Sequence, residues 1–370
     1  MRFLVSVENF NPPLGGGEVF FQELAMALAK KDEVSVAYAG EKKELGNIRM
    51  YDTPRSAVFK DVPLFNRSIT REFFAHFAWK SYLKSVMPHI DPDVVITQLE
   101  FTPSSVEIAK EYGKKSVVYI SNYDHFCPFS FRNRSPSCNR ACFRCAPLSY
   151  KLQYLFFKKY IAWQEKALRD ADIILANSSF TAQVLKGFYG LDAEVFYPVI
   201  FLEDFIAIKG NFITFINPIP IKGSDIFIKI AEAMPEERFL VVGSNCPDKI
   251  KNLPNITHIP RAAAMREVYS KTRMLLVPSA WHEPFGRVVL EAGISGIPCI
   301  ASNMGGLPDA VGNGGMLVDD IYNVGEWVRA IEHMNDKTTY KKFSRNAKDH
   351  AMQFTSKKQM KRFYGFTARL

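Results

Sequence analysis

The stretch WHEPFGRVVLEAGISGIPCIAS, residues 281–302, decides the fold class of this chain. An apolar run typical of a buried strand, Met274–Val277, precedes it, and a second run, Cys299–Ala301, closes it. The segment between these runs has a helical pattern and carries two carboxylates, Glu283 and Glu291, near its predicted start. A strand, a helix and a strand in this order predict two parallel strands of one sheet with a crossover helix.

The same alternation of apolar runs and helical segments continues through the whole chain. In the first half, strands are predicted at Phe3–Val7, Val34–Tyr38, Val94–Thr97, Ser116–Ile120 and Ile173–Ala176. In the second half, strands are predicted at Phe212–Ile216, Phe239–Val242, Met274–Val277 and Cys299–Ala301. Because 370 residues are too many for one ordinary core, we expect an α/β protein with two doubly wound sheets, joined near residues 198–210.

Composition excludes several classes of protein. Hydrophobic content of 47% with 23% charged residues predicts a soluble globular protein. No run of about 18 apolar residues predicts a membrane span, and the start MRFLVSVENF lacks a signal-peptide pattern, so we expect a cytoplasmic protein. The net charge is +9, but no helix-turn-helix, zinc-finger or RNP-like pattern is present, so nucleic acid is not expected as a partner.

Two basic, aromatic-rich stretches lie in the first half of the chain, at residues 65–84 and 150–166. One interpretation is a pair of helices with aromatic core faces and solvated lysines. The other is a surface that binds an anionic membrane, which would place the protein peripherally at the inner face of that membrane.

The loop that contains Glu283 is a candidate site, because ligands of doubly wound sheets bind outside the carboxyl ends of the strands. Pro284 suits the first helical position, which predicts Glu283 as the N-cap and Glu291 two turns further on. Free backbone N–H groups at such a helix start attract anions and hydroxyls; they belong to Phe285, Gly286 and Arg287. The alternative is that Glu283 is only a cap and Glu291 only an exposed helix residue.

Three shorter motifs lie near predicted strand ends. Lys222, beside Gly223, can neutralise a diphosphate without a metal, and the alternative is an ordinary solvated lysine. The Gly15–Gly17 loop can lead backbone up to a phosphate or an acceptor, although it is not a G-x-G-x-x-G fingerprint and a loop that needs positive φ explains it as well. Asp91-Pro92-Asp93 spells D-x-D, but it directly precedes a predicted strand, and we interpret it as a turn rather than a metal site.

EPFGRVVLE, residues 283–291, resembles the E-x7-E motif of the retaining glycosyltransferases of family 4. Further stretches that resemble this family are residues 11–30, 171–190, 216–245, 265–315 and 346–364. The resemblance implies the GT-B fold, in which two Rossmann-like domains face each other across a cleft. It implies an acceptor-side domain at residues 1–198, a nucleotide-sugar-binding domain at 199–349, and a carboxy-terminal helix at 350–370 that crosses back to the first domain.

The resemblance also implies roles for individual residues. Glu283 would contact the donor sugar, Glu291 would hold the ribose, and Lys222 would neutralise the diphosphate. Asn217 stands where the family usually has an arginine, and Arg287 could compensate for that missing cation. The predicted donor-binding set is Gly16, Gly17, Asn217, Lys222, Gly243, Arg261, Glu283, Phe285, Gly286, Arg287 and Glu291.

The catalytic loop of the first domain departs from the family pattern. Ser121 and Asn122 fall on positions where the family often has His and Asp. Asp124 or His125 would then contact the acceptor or the leaving group. The predicted catalytic residues are therefore Glu283, Lys222, Asp124 and His125.

Four of the six cysteines cluster in one loop rich in Pro and Arg: Cys127, Cys138, Cys142 and Cys145. In the cytosol such a cluster favours a metal over disulfides, and four thiolates can hold one structural zinc ion. Free or disulfide-linked thiols are the main alternative. The C-x3-C-x2-C spacing of radical S-adenosylmethionine enzymes is also present, but those enzymes carry it after the first strand of a barrel.

The resulting hypothesis is a retaining hexosyltransferase that uses a nucleoside-diphosphate sugar, a glycan or lipid-linked acceptor, and no cofactor for catalysis. Because Ser121 and Asn122 depart from the family pattern, a nucleotide-sugar epimerase or a non-catalytic donor-binding subunit of the same fold is the alternative. A third hypothesis is a dinucleotide-dependent oxidoreductase that uses the Gly15–Gly17 loop.

Overall fold

The computed structural model describes residues 1–11, 15–41, 44–59, 69–123, 126, 148, 151 and 154–370. The chain divides into two compact units, Met1–Val199 with Gln359–Leu370, and Ile200–Lys358. Residues 350–358, which the predicted returning helix included, belong to the second unit.

The first unit is built on a parallel sheet with strand order β3-β2-β1-β4-β5-β6-β7 in its described part. The strands are β1 (Arg2–Val7), β2 (Glu33–Ala39), β3 (Arg49–Thr53), β4 (Val94–Thr97), β5 (Lys115–Ile120), β6 (Ile173–Ala176) and β7 (Glu194–Val195). The helices are α1 (Gly16–Leu28), α2 (Arg55–Val58), α3 (Ile69–Ile90), α4 (Thr102–Glu111), α5 (Tyr154–Asp170) and α6 (Ser179–Tyr189). Strand order reverses at β1, where Phe3 is paired with Val34 on one side and with Val94 on the other.

Aromatic side chains cover both faces of this first sheet. Trp79 of α3 stacks on Phe101 with ring centroids 4.0 Å apart, and its Nε1 donates to Ser6 Oγ of β1 at 2.9 Å. Phe20 of α1 stacks on Tyr119 of β5 with ring centroids 3.9 Å apart. All these side chains are buried, so the sheet is covered on both faces as a doubly wound fold requires.

The carboxy-terminal helix α14 (Ser356–Thr367) packs largely within the first unit, to which residues from Gln359 onward belong. Phe363 is fully buried against Phe3 and Phe196, at centroid distances of 6.0 and 5.6 Å. The end of the chain therefore contributes to the core that the first strand begins.

The second unit has a parallel sheet with strand order β10-β9-β8-β11-β12-β13. The strands are β8 (Phe212–Ile216), β9 (Phe239–Val242), β10 (Ile256–Ile259), β11 (Thr272–Val277), β12 (Cys299–Ser302) and β13 (Gly315–Val318). The helices are α7 (Ser224–Ala233), α8 (Asp248–Lys251), α9 (Met265–Tyr269), α10 (Arg287–Gly293), α11 (Leu307–Val311), α12 (Val324–Asn335) and α13 (Lys337–Ala351). Its core includes Phe215 stacked on Phe227 at 4.7 Å and the fully buried Trp327.

The predicted pair of parallel sheets is confirmed. All nine predicted strands are present, and the structure adds four short strands, β3, β7, β10 and β13, each at a sheet edge. Within the described residues, no helix is both long and apolar enough to cross a bilayer.

Candidate functional site

Three neighbouring strands of the second sheet, β8, β11 and β12, bring the main candidate residues to one edge. Residues 217–223 follow β8, residues 278–286 follow β11, and residues 303–306 follow β12. The chain runs outward in one direction from β8 to β10 and in the other from β11 to β13, so strand order reverses between β8 and β11. Loops at such a reversal diverge and leave a crevice, which is where doubly wound sheets bind ligands.

The predicted cap of the helix that carries Glu291 is wrong. Helix α10 begins at Arg287, and its N-cap is Gly286, with φ 112° and ψ 54°. Pro284 is therefore not the first helical residue, and Glu283 lies in the preceding loop. The reason is a contact with the loop after β12: the Gly306 N–H donates to the Glu283 carbonyl at 2.6 Å, which holds residues 283–285 outside the helix.

Gly305 fixes how closely these two loops approach. Its φ is +63°, and a Cβ at this position would lie 2.3 Å from the Glu283 carbonyl oxygen. Only a glycine permits this packing, because both the left-handed backbone and the missing side chain are required. The loop after β12 therefore acts as the backbone support of Glu283.

Glu283 is buried and held from two sides. The residue is only 7% exposed. Lys222 Nζ donates to Glu283 Oε1 at 2.5 Å, and Ser279 Oγ donates to the same oxygen at 3.0 Å. Lys222 also lies over the Trp281 ring, 4.9 Å from its centroid. The alternative of an ordinary solvated lysine does not describe Lys222, since it joins the β8 loop to the β11 loop through an ion pair.

Glu291 is also buried, at 6% exposure, so the alternative of an exposed helix residue is wrong. Arg287 Nε donates to Glu291 Oε1 at 3.3 Å, and Tyr269 Oη donates to Glu291 Oε2 at 2.8 Å. Burial, followed by the nearby Glu291 carboxylate, raises the pKa of Tyr269 well above its usual value. Its hydroxyl therefore keeps its proton and remains a donor at physiological pH.

The other predicted donor-binding residues of the second unit make fewer polar contacts. Phe285 is buried against Phe354 at a centroid distance of 6.0 Å. Asn217 is exposed at the end of β8, in a left-handed conformation with φ 61°. Gly243 follows β9 next to Pro218, whose Cδ would lie 2.6 Å from a Cβ at that position. Arg261 is exposed after β10 and makes no ion pair with any described residue.

In the first unit, the described predicted residues follow β1 and β5, and polar residues that follow β4 and β6 lie beside them. Gly16 and Gly17 begin α1, and a Cβ at Gly17 would lie 3.3 Å from Ser121 Oγ. Ser121 Oγ donates to Gln98 Oε1 at 2.7 Å, and Asn177 Nδ2 donates to the Ser121 carbonyl at 2.8 Å. Ser121 is therefore part of a polar cluster at this edge, built from four strand ends.

Several predicted residues lie outside the described part of the chain: Asp124, His125, Cys127, Cys138, Cys142 and Cys145. Their proposed roles stay predictions. Asn122 is described, and its Oδ1 accepts from the backbone N–H of Tyr123 at 2.7 Å. The carboxylates of Asp91 and Asp93 lie before β4, at the opposite edge of the sheet, and both pair with Arg2.

Sequence reasoning missed four residues of the two polar clusters: Gln98, Asn177, Ser279 and Tyr269. Gln98 and Asn177 directly follow predicted strands, and Ser279 follows another after one proline, so the strand-end rule could have found these three. Tyr269 precedes its strand and carries no such signal.

Comparison with known proteins agrees with this architecture. The sequence model described as Glycosyltransferase Family 4 matches residues 14–203, and that of Glycosyl transferases group 1 matches residues 210–336. D-inositol 3-phosphate glycosyltransferases of Mycobacterium leprae and Mycolicibacterium smegmatis are 28% identical in alignments of 228 and 225 residues, and both alignments cover 52% of this chain. These matches cover 53% and 51% of the two relatives, so the chain spans about half the length of the curated relatives it matches.

Solved structures share the fold over the full length. Sucrose-phosphate synthase from Thermosynechococcus elongatus has a TM-score of 0.77 at 15% identity, covering 100% of this chain and 99% of that one. Anabaena HepE in complex with UDP and glucose has a TM-score of 0.71 at 18% identity, covering 100% of both chains. The predicted GT-B fold class is thereby confirmed, and since the family model alone spans more than half of the residues, the chain belongs to glycosyltransferase family 4.

Proposed function

We propose that this protein is a retaining glycosyltransferase that moves a hexose from a nucleoside-diphosphate sugar to a glycan or lipid-linked acceptor. The observation that carries the proposal is the cluster at the reversal of strand order in the second sheet. There Lys222, in the loop after β8, pairs with Glu283, in the loop after β11, and Glu291 lies on the helix that follows; both carboxylates are buried. The reversal of strand order is where doubly wound sheets bind ligands, so these charged groups lie where a ligand is expected.

Each of these side chains suits one part of a nucleotide-sugar donor. A lysine ammonium can neutralise a diphosphate, and it would stabilise that group as it departs. Glu283, beside Lys222, would accept hydrogen bonds from sugar hydroxyls. Glu291, held by Arg287 and Tyr269, would accept hydrogen bonds from the ribose hydroxyls.

The proposed mechanism needs neither a metal nor a nucleophile from the protein. Charge on the leaving diphosphate would be balanced by Lys222 and by the backbone N–H groups at the start of α10. The oxocarbenium-like sugar would be attacked by the acceptor on the face that the diphosphate leaves, which retains the anomeric configuration. Asp124 and His125 stay candidates for contacts with the acceptor or the leaving group.

Names of related proteins support the donor class. Anabaena HepE was solved in complexes with UDP-glucose and with UDP and glucose, and the curated relatives are named as D-inositol 3-phosphate glycosyltransferases. We transfer from these names only the use of a nucleotide-sugar donor, and leave the base, the sugar and the acceptor to experiment.

We also propose that the first unit contacts an anionic membrane surface. On α3, Phe74 is 41% and Phe77 is 52% exposed, although both are large apolar side chains. The Phe77 ring centroid lies 5.4 Å from that of Trp163 of α5, and Nζ of Lys159, an exposed residue of α5, lies 5.7 Å from the centroid of the same Trp163 ring. Exposed aromatic rings next to lysines are the combination that binds an anionic bilayer surface.

The deciding experiment is a thermal-shift panel of UDP-, GDP- and ADP-sugars, followed by a transfer assay with the donor that stabilises the protein. We expect one donor to raise the melting temperature and to be consumed with formation of a glycosylated acceptor whose anomeric configuration matches the donor. An epimerised donor without transfer would indicate the epimerase, and binding without any turnover would indicate a donor-binding subunit. Stabilisation by NAD alone would overturn the donor-site proposal in favour of an oxidoreductase.

A further inference from the structure

Tyr269 makes the shortest hydrogen bond to Glu291, yet it comes from a different part of the fold. It is the last residue of the short helix α9, which precedes β11. Its Oη donates to Glu291 Oε2 at 2.8 Å, and the residue is fully buried. A buried phenol needs a partner, and here the partner is the Glu291 carboxylate.

The two oxygens of Glu291 are held by different kinds of group. Oε1 accepts from Arg287 Nε at 3.3 Å, a longer contact from a flexible side chain one turn earlier on the same helix. Oε2 accepts from Tyr269, whose ring packs edge-on against Phe205 with centroids 6.1 Å apart. The phenol is therefore held by packing on another element, whereas Arg287 comes from the helix that carries Glu291 itself.

The chemistry of this pair favours orientation of Glu291 over proton transfer. The hydroxyl of Tyr269 stays protonated, so it donates to the carboxylate and cannot accept a proton from substrate. A carboxylate oxygen has more than one lone pair, so Glu291 can keep this hydrogen bond while it accepts others from two hydroxyls of a ligand.

We propose that Tyr269 is a positioning residue, which orients the Glu291 carboxylate so that it can accept hydrogen bonds from the ribose of the donor. The inference rests on the proposed function, in which Glu291 holds the ribose. In this role Tyr269 contributes, through Glu291, to the preference of the site for nucleotides with intact ribose hydroxyls. Fixed orientation matters because a carboxylate that must be ordered on binding loses affinity.

The test compares the affinities of UDP, GDP and ADP with those of their 2′-deoxy and 3′-deoxy counterparts, by isothermal titration. For each pair, the affinity for the ribonucleotide is divided by the affinity for its deoxy counterpart. This ratio measures the contribution of the ribose hydroxyl, because the base and the diphosphate are the same in both. Four proteins are compared with wild type: Tyr269→Phe, Glu291→Gln, the double variant, and Tyr340→Phe. Tyr340 is a matched control, since its Oη also donates one hydrogen bond at 2.9 Å, to the Arg273 carbonyl in the same unit.

We expect Tyr269→Phe to lower the ribose preference by about two- to tenfold, which is less than the full value of a hydrogen bond to a charged group, because Tyr269 acts on the ribose only through Glu291. Glu291→Gln should lower it further, the double variant should equal Glu291→Gln, and Tyr340→Phe should keep the wild-type ratio. If Tyr269→Phe weakens ribose and deoxyribose nucleotides equally, its role is structural and the inference is overturned. If the preference also survives Glu291→Gln, the proposed function of Glu291 fails instead. If the double variant differs in ribose preference from Glu291→Gln, Tyr269 acts other than through Glu291 and the inference is overturned, whether or not Tyr269→Phe alone is stable.

Discussion

Glu283 and Glu291 are each paired with a cation, but the two pairs stand in different relations to a donor. Lys222 reaches Glu283 from another loop, so a diphosphate that binds Lys222 would share its ammonium with this carboxylate. Arg287 lies one turn before Glu291 on the same helix, and Tyr269 supplies a second fixed donor. Removing one partner of a buried pair leaves the other charge without compensation, so each variant must keep the shape of the side chain.

The two glutamates should therefore fail differently when each is replaced by glutamine. Glu291→Gln removes an acceptor for hydroxyls that are present in both donor and free nucleotide, so both should bind about tenfold to a few hundredfold more weakly. Glu283→Gln should lower kcat by a similar factor and leave the affinity for free nucleoside diphosphate nearly intact. Its partner Lys222 would still be available to the diphosphate, and interactions strengthened only in the transition state act on rate.

Titration with free nucleotide and steady-state kinetics separate these effects. The assignment is lost if Glu283→Gln weakens the nucleotide as much as Glu291→Gln does while kcat stays at the wild-type value. Serine at position 279 offers a graded comparison, since Ser279→Ala removes one of two donors to Glu283 without removing the carboxylate. It should shift kcat in the same direction as Glu283→Gln, by a smaller factor.

At the scale of single residues, the position after predicted strands made Lys222 and Glu283 candidates, and the resemblance to family 4 gave these two residues and Glu291 their predicted roles. The predicted N-cap, Glu283, was wrong because Gly306, which is more than twenty positions further along the sequence, bonds to the Glu283 carbonyl and keeps this residue outside α10. Sequence reasoning also missed Tyr269, which reaches Glu291 only through the packing of α9. Local patterns predict residues at strand ends, whereas contacts between loops depend on the tertiary structure.

At the scale of elements, the central strands were predicted almost to the residue, and the edge strands were missed. β8 has the sequence FITFI and β9 the sequence FLVV; both are largely buried and rich in β-branched and aromatic residues, so they have a clear signal. β3 has the sequence RMYDT and β10 the sequence ITHI, and both are only partly buried. An edge strand has one neighbour and a solvated side, so its sequence does not contain the apolar run by which buried strands are recognised.

Gly305→Ala should disturb the element that supports Glu283. The added Cβ would lie 2.3 Å from the Glu283 carbonyl oxygen and 2.7 Å from its nitrogen, so the β11 loop must move. We expect a loss of stability of about 1–3 kcal/mol from overpacking, in addition to about 1–2 kcal/mol for a side chain in the left-handed conformation. Because the loop carries Glu283, kcat should also fall, by about tenfold or more if one charge-assisted hydrogen bond is lost.

Gly113→Ala is the matched control for this substitution. Gly113 has nearly the same φ, +65°, but no atom of the described residues lies within 4 Å of the point that an added Cβ would occupy. Gly113→Ala should lower the free energy of unfolding only by the cost of a side chain in the left-handed conformation, and it should leave kcat unchanged. Equal effects of the two substitutions on denaturation and on turnover would contradict the role of the β12 loop as the support of Glu283.

At the scale of the whole molecule, the net charge of +9 and the exposed rings of the first unit predict binding to anionic vesicles. Phe74→Ser with Phe77→Ser should weaken this binding by about thirtyfold, if burial of each half-exposed ring contributes about 1 kcal/mol. Sedimentation with vesicles of phosphatidylglycerol and phosphatidylethanolamine measures the change, and added salt should weaken the wild-type protein too.

Tyr322→Ser is the control for the vesicle experiment, since Tyr322 is 65% exposed but lies in the second unit. It should bind the vesicles like the wild-type protein. Equal binding by the Phe74→Ser/Phe77→Ser variant, or equal binding to neutral phosphatidylcholine vesicles, would show that this surface does not recognise an anionic membrane.

A second prediction at the scale of the whole molecule is that catalysis needs no metal, and chelation tests it. If Lys222 and the backbone N–H groups of α10 balance the diphosphate charge, dialysis against EDTA should leave kcat and KM unchanged, and Mg²⁺ or Mn²⁺ should not stimulate transfer. The predicted zinc at Cys127, Cys138, Cys142 and Cys145 has a separate signature, because a structural metal stabilises the folded state rather than the leaving group. Its removal by a stronger chelator should lower the melting temperature and release about one zinc per chain, a stoichiometry expected for four thiolate ligands. Activity that is abolished by EDTA and restored by Mg²⁺, at an unchanged melting temperature, would instead assign the metal to the diphosphate and remove that role from Lys222.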